Sequence, residues 1–188
     1  MILRAAGRRR IPWKNGGGEA EDIASGPPGA DWSTMDWRIS RAWIAASGPF
    51  SVFPGIDRTF LVTEGRGVEL SPAGVPARLG PDAPPFAFAG DVATGCVLLD
   101  GPVIALNVMT ARGRWRHRLE RRPLAGRTSL AGTAPVTLAV LLRGAADLPG
   151  RDVRLTAADA VRLLPDEAVP VDAAAGTVLA WVELWDDR

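Results

Sequence analysis

The 188-residue sequence predicts an all-β protein with few short helices, and three observations lead to that class. Glycine (21 residues) and proline (16 residues) are spread along the chain. They divide it into apolar runs of about five to eight residues, the length of a strand. Several runs alternate apolar and polar residues with the period of two that a half-buried strand requires. Many short strands with Gly- and Pro-rich turns are typical of sandwiches and barrels.

The predicted strands, in chain order, are 37–45, 59–63, 68–71, 85–88, 96–99, 103–109, 115–119, 136–142, 160–164 and 177–184. In the seventh, Trp115, His117 and Leu119 share one face, and the arginines between them face water. The last strand is apolar on both faces, which predicts a position between two layers.

A weak internal repeat predicts two related halves. Segment 64–67 reads as a hairpin turn, segment 143–147 holds the same place later in the chain, and an acidic Pro-Asp bend follows each. We expect a single compact unit over residues 1–188, with pseudo-halves at about 1–120 and 121–188 that can exchange strands. The Arg-, Gly- and Thr-rich segment 119–133 is predicted to connect them.

Composition excludes several classes of protein. The formal net charge of +1 provides no general attraction to nucleic acid or to an anionic membrane. The single Cys96 cannot form an internal disulfide, and no signal-peptide or membrane-span pattern is present, so we expect a cytoplasmic protein without a membrane partner. One cysteine and one histidine cannot build the usual metal cluster, so no metal and no cofactor is expected. A serine-hydrolase triad would need His117, which the alternation places on an apolar face.

The segment Trp13–Gly18 (WKNGGG) carries the scarcest residues of the chain. Lys14 is the only lysine, and Asn15 is one of two asparagines. Lysine offers a compact point charge that arginine does not reproduce. Successive glycines allow close backbone approach to a ligand and an anion-binding nest. The alternative is a tight Asn-Gly turn beside a solvated lysine.

Three further segments carry candidate ligand contacts. Arg38 and Ser40 share one strand face, where a carboxylate could be bound, although a polar edge strand has the same pattern. Segment 48–58 is a stiff loop that ends in Asp57 and Arg58, and Arg58 could reach into a pocket whose wall is Phe50 and Phe53. The structural alternative is that Asp57 pairs with Arg58 or caps the turn. Asn107 interrupts an apolar strand and must find hydrogen-bond partners, either as a structural cross-link or as a ligand contact.

A second basic feature is a row of arginines between residues 112 and 122. On a strand, Arg114, Arg116 and Arg118 would form a one-sided stripe able to follow phosphates. No nucleic-acid motif accompanies the stripe, so a solvated face or a subunit interface is the better interpretation.

The motifs resemble those of the HutD/Ves family. They are WKNGGG (13–18), WRIS (37–40), GPFSVFPGIDR (48–58), EGRGVEL (64–70) and DGPVIALNVM (100–109). Their order and spacing match over essentially the whole chain. The resemblance implies a bicupin of two cupin-like β-barrel or jelly-roll halves (RmlC-like) that works without metal. Where this chain reads Ala105, the family often has Asp.

The resemblance also implies a function and a site. Some members are encoded with histidine-utilisation enzymes, which implies a regulatory protein that binds a small anionic metabolite such as N-formylglutamate or another histidine-degradation intermediate. The ligand-binding residues are expected to be Lys14, Asn15, Arg38, Ser40, Phe50, Phe53, Arg58 and Asn107. The supporting residues are expected to be Trp13, Gly16, Gly17, Trp37, Asp57 and Asp100.

Two alternative functions and one assembly state stay open. A metal-free isomerase or lyase would use Lys14 as its base, although no enzymatic activity is established for the family. Polyanion or nucleic-acid binding would use the arginines between 112 and 122. Trp32 and the apolar last strand leave room for a homodimer interface.

Overall fold

The computed structural model describes residues 1–13, 16–31 and 33–187. Lys14, Asn15 and Trp32, three residues singled out from the sequence, therefore lie outside the described residues. The described chain is all-β, and its helical content is a single 3₁₀ turn at Pro149–Arg151. The chain divides into two compact units. The N-terminal unit is Arg8–Arg116, and the C-terminal unit combines Met1–Gly7 with His117–Asp187.

The N-terminal unit contains two antiparallel sheets. The six-stranded sheet has the order β2-β3-β4-β11-β6-β9, and the four-stranded sheet has the order β5-β10-β7-β8. The strand bounds are β2 (Ile11–Pro12), β3 (Gly18–Gly26), β4 (Trp37–Ile44), β5 (Gly48–Pro49), β6 (Ile56–Glu64), β7 (Val68–Pro72), β8 (Ala77–Leu79), β9 (Phe86–Ala89), β10 (Thr94–Leu98) and β11 (Val103–Ala111).

Apolar side chains from both sheets pack into one core in this unit. Phe60 and Val62 of β6 and Ala105 of β11 meet Val68 and Leu70 of β7 there. Cys96 belongs to the same core, and its burial raises the pKa of the thiol to about 11. The two sheets thus enclose a shared interior, as expected for a sandwich or barrel.

The C-terminal unit is one seven-stranded sheet. Its order is β1-β16-β13-β17-β14-β15, and β12 pairs with β17. The bounds are β1 (Ile2–Leu3), β12 (Trp115–Ala131), β13 (Val136–Arg143), β14 (Ala146–Leu148), β15 (Val153–Leu155), β16 (Ala160–Leu163) and β17 (Ala168–Asp186). The first two residues of β12 belong to the N-terminal unit. Its interior is filled with apolar side chains from β12 to β17, with Trp181 among the largest.

Two features of the last strands agree with the sequence analysis. Residues 177–184 of β17 are buried on both faces, apart from the half-buried Val178. In β12, Arg116 and Arg118 are exposed, whereas Trp115, His117 and Leu119 are partly or fully buried. The alternation therefore predicted these faces correctly.

Two local expectations were wrong. Segment 119–133 is mostly strand, because β12 runs on to Ala131 and pairs with β17. Its side chains are largely exposed, so no apolar alternation marked it as a strand. Segment 64–67 does not close a hairpin, since β6 and β7 belong to different sheets. Gly65 and Gly67, both at positive φ, carry the chain from one sheet to the other.

Strand β3 was not predicted. Its sequence, GEAEDIASG, holds glycine, glutamate and aspartate, which are depleted in strands. Pairing with β4 from Gly18↔Ile44 to Gly26↔Trp37 holds it in the sheet. At Gly18 an added Cβ would lie 2.2 Å from the Trp43 carbonyl oxygen, so the last glycine of WKNGGG is required by close packing.

Candidate functional site

Neighbouring strands of the six-stranded sheet bring the candidate polar residues onto one face. The register pairs Ser40 with Asn107, and Met109 with both Arg38 and Arg58. Because side chains alternate along each strand, Arg38, Ser40, Arg58, Asn107 and Met109 point to the same side of the sheet. The prediction that Arg38 and Ser40 share a face is confirmed.

This face lines a cavity of about 490 Å³ within the N-terminal unit. Five polar or charged side chains reach it, and the rest of the lining is apolar. The lining residues are Ile11, Pro12, Trp13, Ala20, Arg38, Ser40, Ala42, Ile44, Pro49, Phe50, Ser51, Phe53, Arg58, Asn107 and Met109. An apolar pocket of this size with a few convergent polar groups has the form of a small-molecule site.

Arg58 is the distinctive side chain of the cavity. The residue is 7% exposed, and its guanidinium has no carboxylate within 4.0 Å among the described residues. Its Nη2 donates a hydrogen bond to Asn107 Oδ1 at 3.2 Å, and its Nε is buried without an acceptor in the described part of the chain. Burial lowers its pKa to about 10, so the group keeps its charge at neutral pH.

Aromatic rings surround this cation. The guanidinium carbon lies 5.3 Å from the centroid of Phe50, 5.4 Å from that of Phe53 and 4.9 Å from that of Phe88. Ring faces attract a cation at these distances. They do not replace a counter-ion, and they leave the positive charge available to an anion.

Arg38, the second arginine of the cavity, is paired with a carboxylate. Its Nε and Nη2 both contact Oδ1 of Asp22, which belongs to β3. The Arg38 side chain is 12% exposed and that of Asp22 is 46% exposed. The two arginines of the cavity thus differ, one being paired with a carboxylate and the other not.

The loop that carries Phe50 and Phe53 is held by Gly90 and by Thr94, the first residue of β10. The Phe50 N–H donates to the Thr94 carbonyl at 2.9 Å, and the Phe53 N–H donates to the Gly90 carbonyl at 2.8 Å. Phe50 also stacks edge-on against Trp13, with ring centroids 6.3 Å apart. These bonds fix the aromatic wall beside Arg58.

The structure brings most, but not all, of the predicted site residues together. Arg38, Ser40, Phe50, Phe53, Arg58 and Asn107 line the cavity, and so does Trp13, which was expected only in a supporting role. Lys14 and Asn15 lie outside the described residues, so the enzyme alternative that depends on Lys14 gains no geometric argument. Gly16 and Gly17 are described but do not line the cavity; Gly16 has a φ of +71°.

Three expected supporting residues lie away from the cavity lining. Trp37 is buried against Trp115, with ring centroids 6.4 Å apart. Asp57 pairs with Arg112 rather than with Arg58, because adjacent residues of a strand point to opposite faces. Asp100 pairs with Arg66 at 3.3 Å, and both side chains are mostly exposed.

Sequence reasoning missed Asp22 and Met109. Met109 ends the DGPVIALNVM motif two residues after Asn107, so strand alternation could have placed it on the cavity face. Asp22 carried no signal, because β3 was not predicted as a strand.

The arginines between 112 and 122 are interleaved with carboxylates. Arg112 pairs with Asp57 and Asp91, and Arg114 pairs with Asp36. Arg118 and Arg122 both pair with Glu120. Each of these charges therefore already has a counter-ion, which favours the interpretation as a solvated face.

The described residues contain no group of three or more His, Cys, Asp or Glu side chains that could hold a metal ion. They also contain no helix with the length and apolar character needed to cross a membrane.

Comparison with solved structures shows the fold. HutD from Pseudomonas fluorescens SBW25 superposes with a TM-score of 0.82 at 29% identity, covering 99% of this chain and 98% of that one. The cupin-like pirin YhhW from Escherichia coli superposes with a TM-score of 0.70 at 12% identity, covering 100% of this chain and 97% of the pirin. The all-β fold is therefore cupin-like.

Comparison of sequences shows the family. The HutD family model matches residues 5–181. An uncharacterised 21.2 kDa protein in the hutC 3′ region of Pseudomonas putida is 35% identical over 164 residues, which is 87% of this chain and 86% of the relative. The protein Ves of Citrobacter koseri is 37% identical over 117 residues, which is 59% of each chain. The chain belongs to the HutD/Ves family.

Proposed function

We propose that the protein binds a small anionic metabolite in the cavity of the N-terminal unit, without a metal ion, and that it acts in regulation rather than catalysis. The observation that carries this proposal is Arg58, a buried cation without a carboxylate partner among the described residues. Burying an uncompensated charge costs several kcal/mol, so a fold keeps one where a ligand supplies the opposite charge.

The surroundings of Arg58 support a carboxylate as that charge. A guanidinium presents parallel N–H groups that match the two oxygens of a carboxylate. Ser40 and Asn107 offer neutral hydrogen-bonding groups beside it, and Phe50 and Phe53 provide an apolar wall for a short carbon chain. Membership of the HutD/Ves family adds N-formylglutamate and other histidine-degradation intermediates as first candidates.

The proposal extends to the architecture of the protein and to its location in the cell. We propose that the two units correspond to the two halves of a bicupin and that strands exchange between them. We also propose that the ligand cavity lies in one half only, since the interior of the C-terminal unit is filled by Leu, Val, Ala and Trp181 side chains. The protein is proposed to act in the cytoplasm, and a homodimer is compatible with this role.

The test is ligand binding by calorimetry and by thermal shift. N-formylglutamate, urocanate, glutamate and formate are titrated into the wild type, Arg58→Met and Arg78→Met. Arg78 is a mostly exposed arginine paired with Glu69, so it controls for loss of one positive charge. A ligand at about 100 times its Kd should stabilise the wild type by about 2.7 kcal/mol, a shift of several degrees in Tm.

We expect this response to disappear in Arg58→Met and to persist in Arg78→Met. A response that is equal in the wild type and in Arg58→Met would contradict the assignment of the carboxylate to Arg58. No response of the wild type to any of the acids would contradict the metabolite-binding function.

A further inference from the structure

The two arginines of the cavity do not offer the same charge to a ligand. They are the only charged side chains among the described lining residues. The guanidinium of Arg38 is occupied by Asp22, and that of Arg58 has no carboxylate partner in the described chain. Counted over the described residues, the cavity with its adjoining Asp22 therefore contains two positive charges and one negative charge.

Asp22 is positioned to offset the charge of Arg38 at the edge of the cavity. It lies on β3, next to β4 in the sheet, and a single carboxylate oxygen accepts from both Nε and Nη2 of Arg38. Ala20, two residues earlier on β3, lines the cavity, so Asp22 lies close to the wall that a ligand would contact. A second carboxylate of a ligand would meet an arginine that is already neutralised and would approach a like charge.

We propose that Asp22 is a specificity-determining residue that makes the cavity prefer a ligand with a single carboxylate. This inference rests on the proposed function, because it assumes that Arg58 binds the first carboxylate. The remaining polar group of the ligand is then neutral, an amide, formyl or similar group within reach of Ser40 and Asn107. The class of ligand is a monocarboxylate with one neutral hydrogen-bonding end, which ranks the diacid N-formylglutamate below the monocarboxylates among the candidates of the proposed function.

Two probes of nearly equal size separate a monoanion from a dianion. N-formylglutamate carries two carboxylates, and its γ-amide, N-formylglutamine, carries one. Both are titrated by calorimetry into the wild type, Asp22→Asn and Asp147→Asn. Asp147 is a matched control, since it also pairs with a cross-strand arginine, Arg154, and its side chain is 51% exposed.

We expect the wild type to bind the γ-amide more tightly than the diacid. Asp22→Asn should move the ratio of the two Kd values about fivefold or more toward the diacid, because Arg38 loses the carboxylate charge of Asp22 that offsets its own. Asp147→Asn should leave the ratio unchanged. Thermal unfolding without ligand checks that Asp22→Asn is folded.

Two kinds of failure are distinguishable. Tighter binding of the diacid by the wild type, or the same ratio in the wild type and in Asp22→Asn, overturns the role of Asp22 and leaves the proposed function standing. Binding of neither probe to the wild type, together with no response to the other acids named above, refutes the proposed function and this inference with it.

Discussion

Replacing Arg58 with methionine tests whether its charge serves a ligand or the fold. Burial lowers the pKa of Arg58 to about 10, which corresponds to a penalty of about 3 kcal/mol for keeping the charge in the folded protein. Methionine removes that penalty. It also leaves Asn107 Oδ1 without its donor, at a cost of about 1–3 kcal/mol.

The contacts with the phenylalanine rings are partly retained, because a thioether also packs favourably on aromatic rings. The gain and the losses therefore nearly cancel. We expect the free energy of unfolding of Arg58→Met, without ligand, to lie within about 1 kcal/mol of the wild-type value. An arginine that neutralises a buried carboxylate behaves differently, since its removal strands that charge and costs about 3–5 kcal/mol.

Urea unfolding followed by tryptophan fluorescence measures this difference. Arg41→Met is the comparison, because Arg41 contacts Glu21, whose side chain is 6% exposed, and Glu64. Arg8 also reaches Glu21, so we expect Arg41→Met to lose about 2 kcal/mol rather than the full amount. A loss of 3 kcal/mol or more in Arg58→Met, with the m-value unchanged, would show that the fold needs this charge and would refute the reasoning.

Two further predictions concern the framework. Asp159 is buried and accepts hydrogen bonds from the Ala5 N–H at 2.8 Å and from Arg4. Burial alone would raise its pKa, but these bonds and that of the Thr156 N–H outweigh it and lower the pKa. The free energy of unfolding of Asp159→Asn should therefore be about 1–2 kcal/mol lower than that of the wild type at pH 7. This difference should shrink as the pH falls below the unfolded pKa of 3.8. A difference that stays constant down to pH 2 would contradict the prediction. In the same urea assay, Gly18→Ala should lower the free energy of unfolding by at least about 2 kcal/mol, because its Cβ would meet the Trp43 carbonyl. Gly150→Ala, with open space around the added Cβ, should change that free energy little. Equal effects of the two substitutions would refute the packing argument.

Local patterns were sufficient for most of the strands. Strand β4 was predicted over 37–45 and runs from Trp37 to Ile44; strand β11 was predicted over 103–109 and runs from Val103 to Ala111. The alternation of side chains is a property of neighbouring residues, so it can be read without knowledge of the partner strand. The same reasoning placed Arg38 and Ser40 on one face, as the cavity shows.

Pairing between distant segments was not accessible in this way. Strand β3 and the second half of β12 lack apolar alternation and are strands because a neighbour, β4 or β17, supplies hydrogen bonds. The hairpin expected at segment 64–67 failed for the same reason, since a turn sequence does not determine which sheet the next strand joins.

The sequence by itself determined the all-β class, the family and the residues from which a site could be built. Only the tertiary structure decided which of the two cavity arginines is paired with a carboxylate of the described residues. Arg38 and Arg58 are alike as residue types, but Asp22 of β3 pairs with the first, and aromatic rings and Asn107 surround the second. The physical reason is that every group within a few ångströms contributes to the electrostatic environment of a charged side chain. Here those groups come from strands and loops that are far apart in the chain.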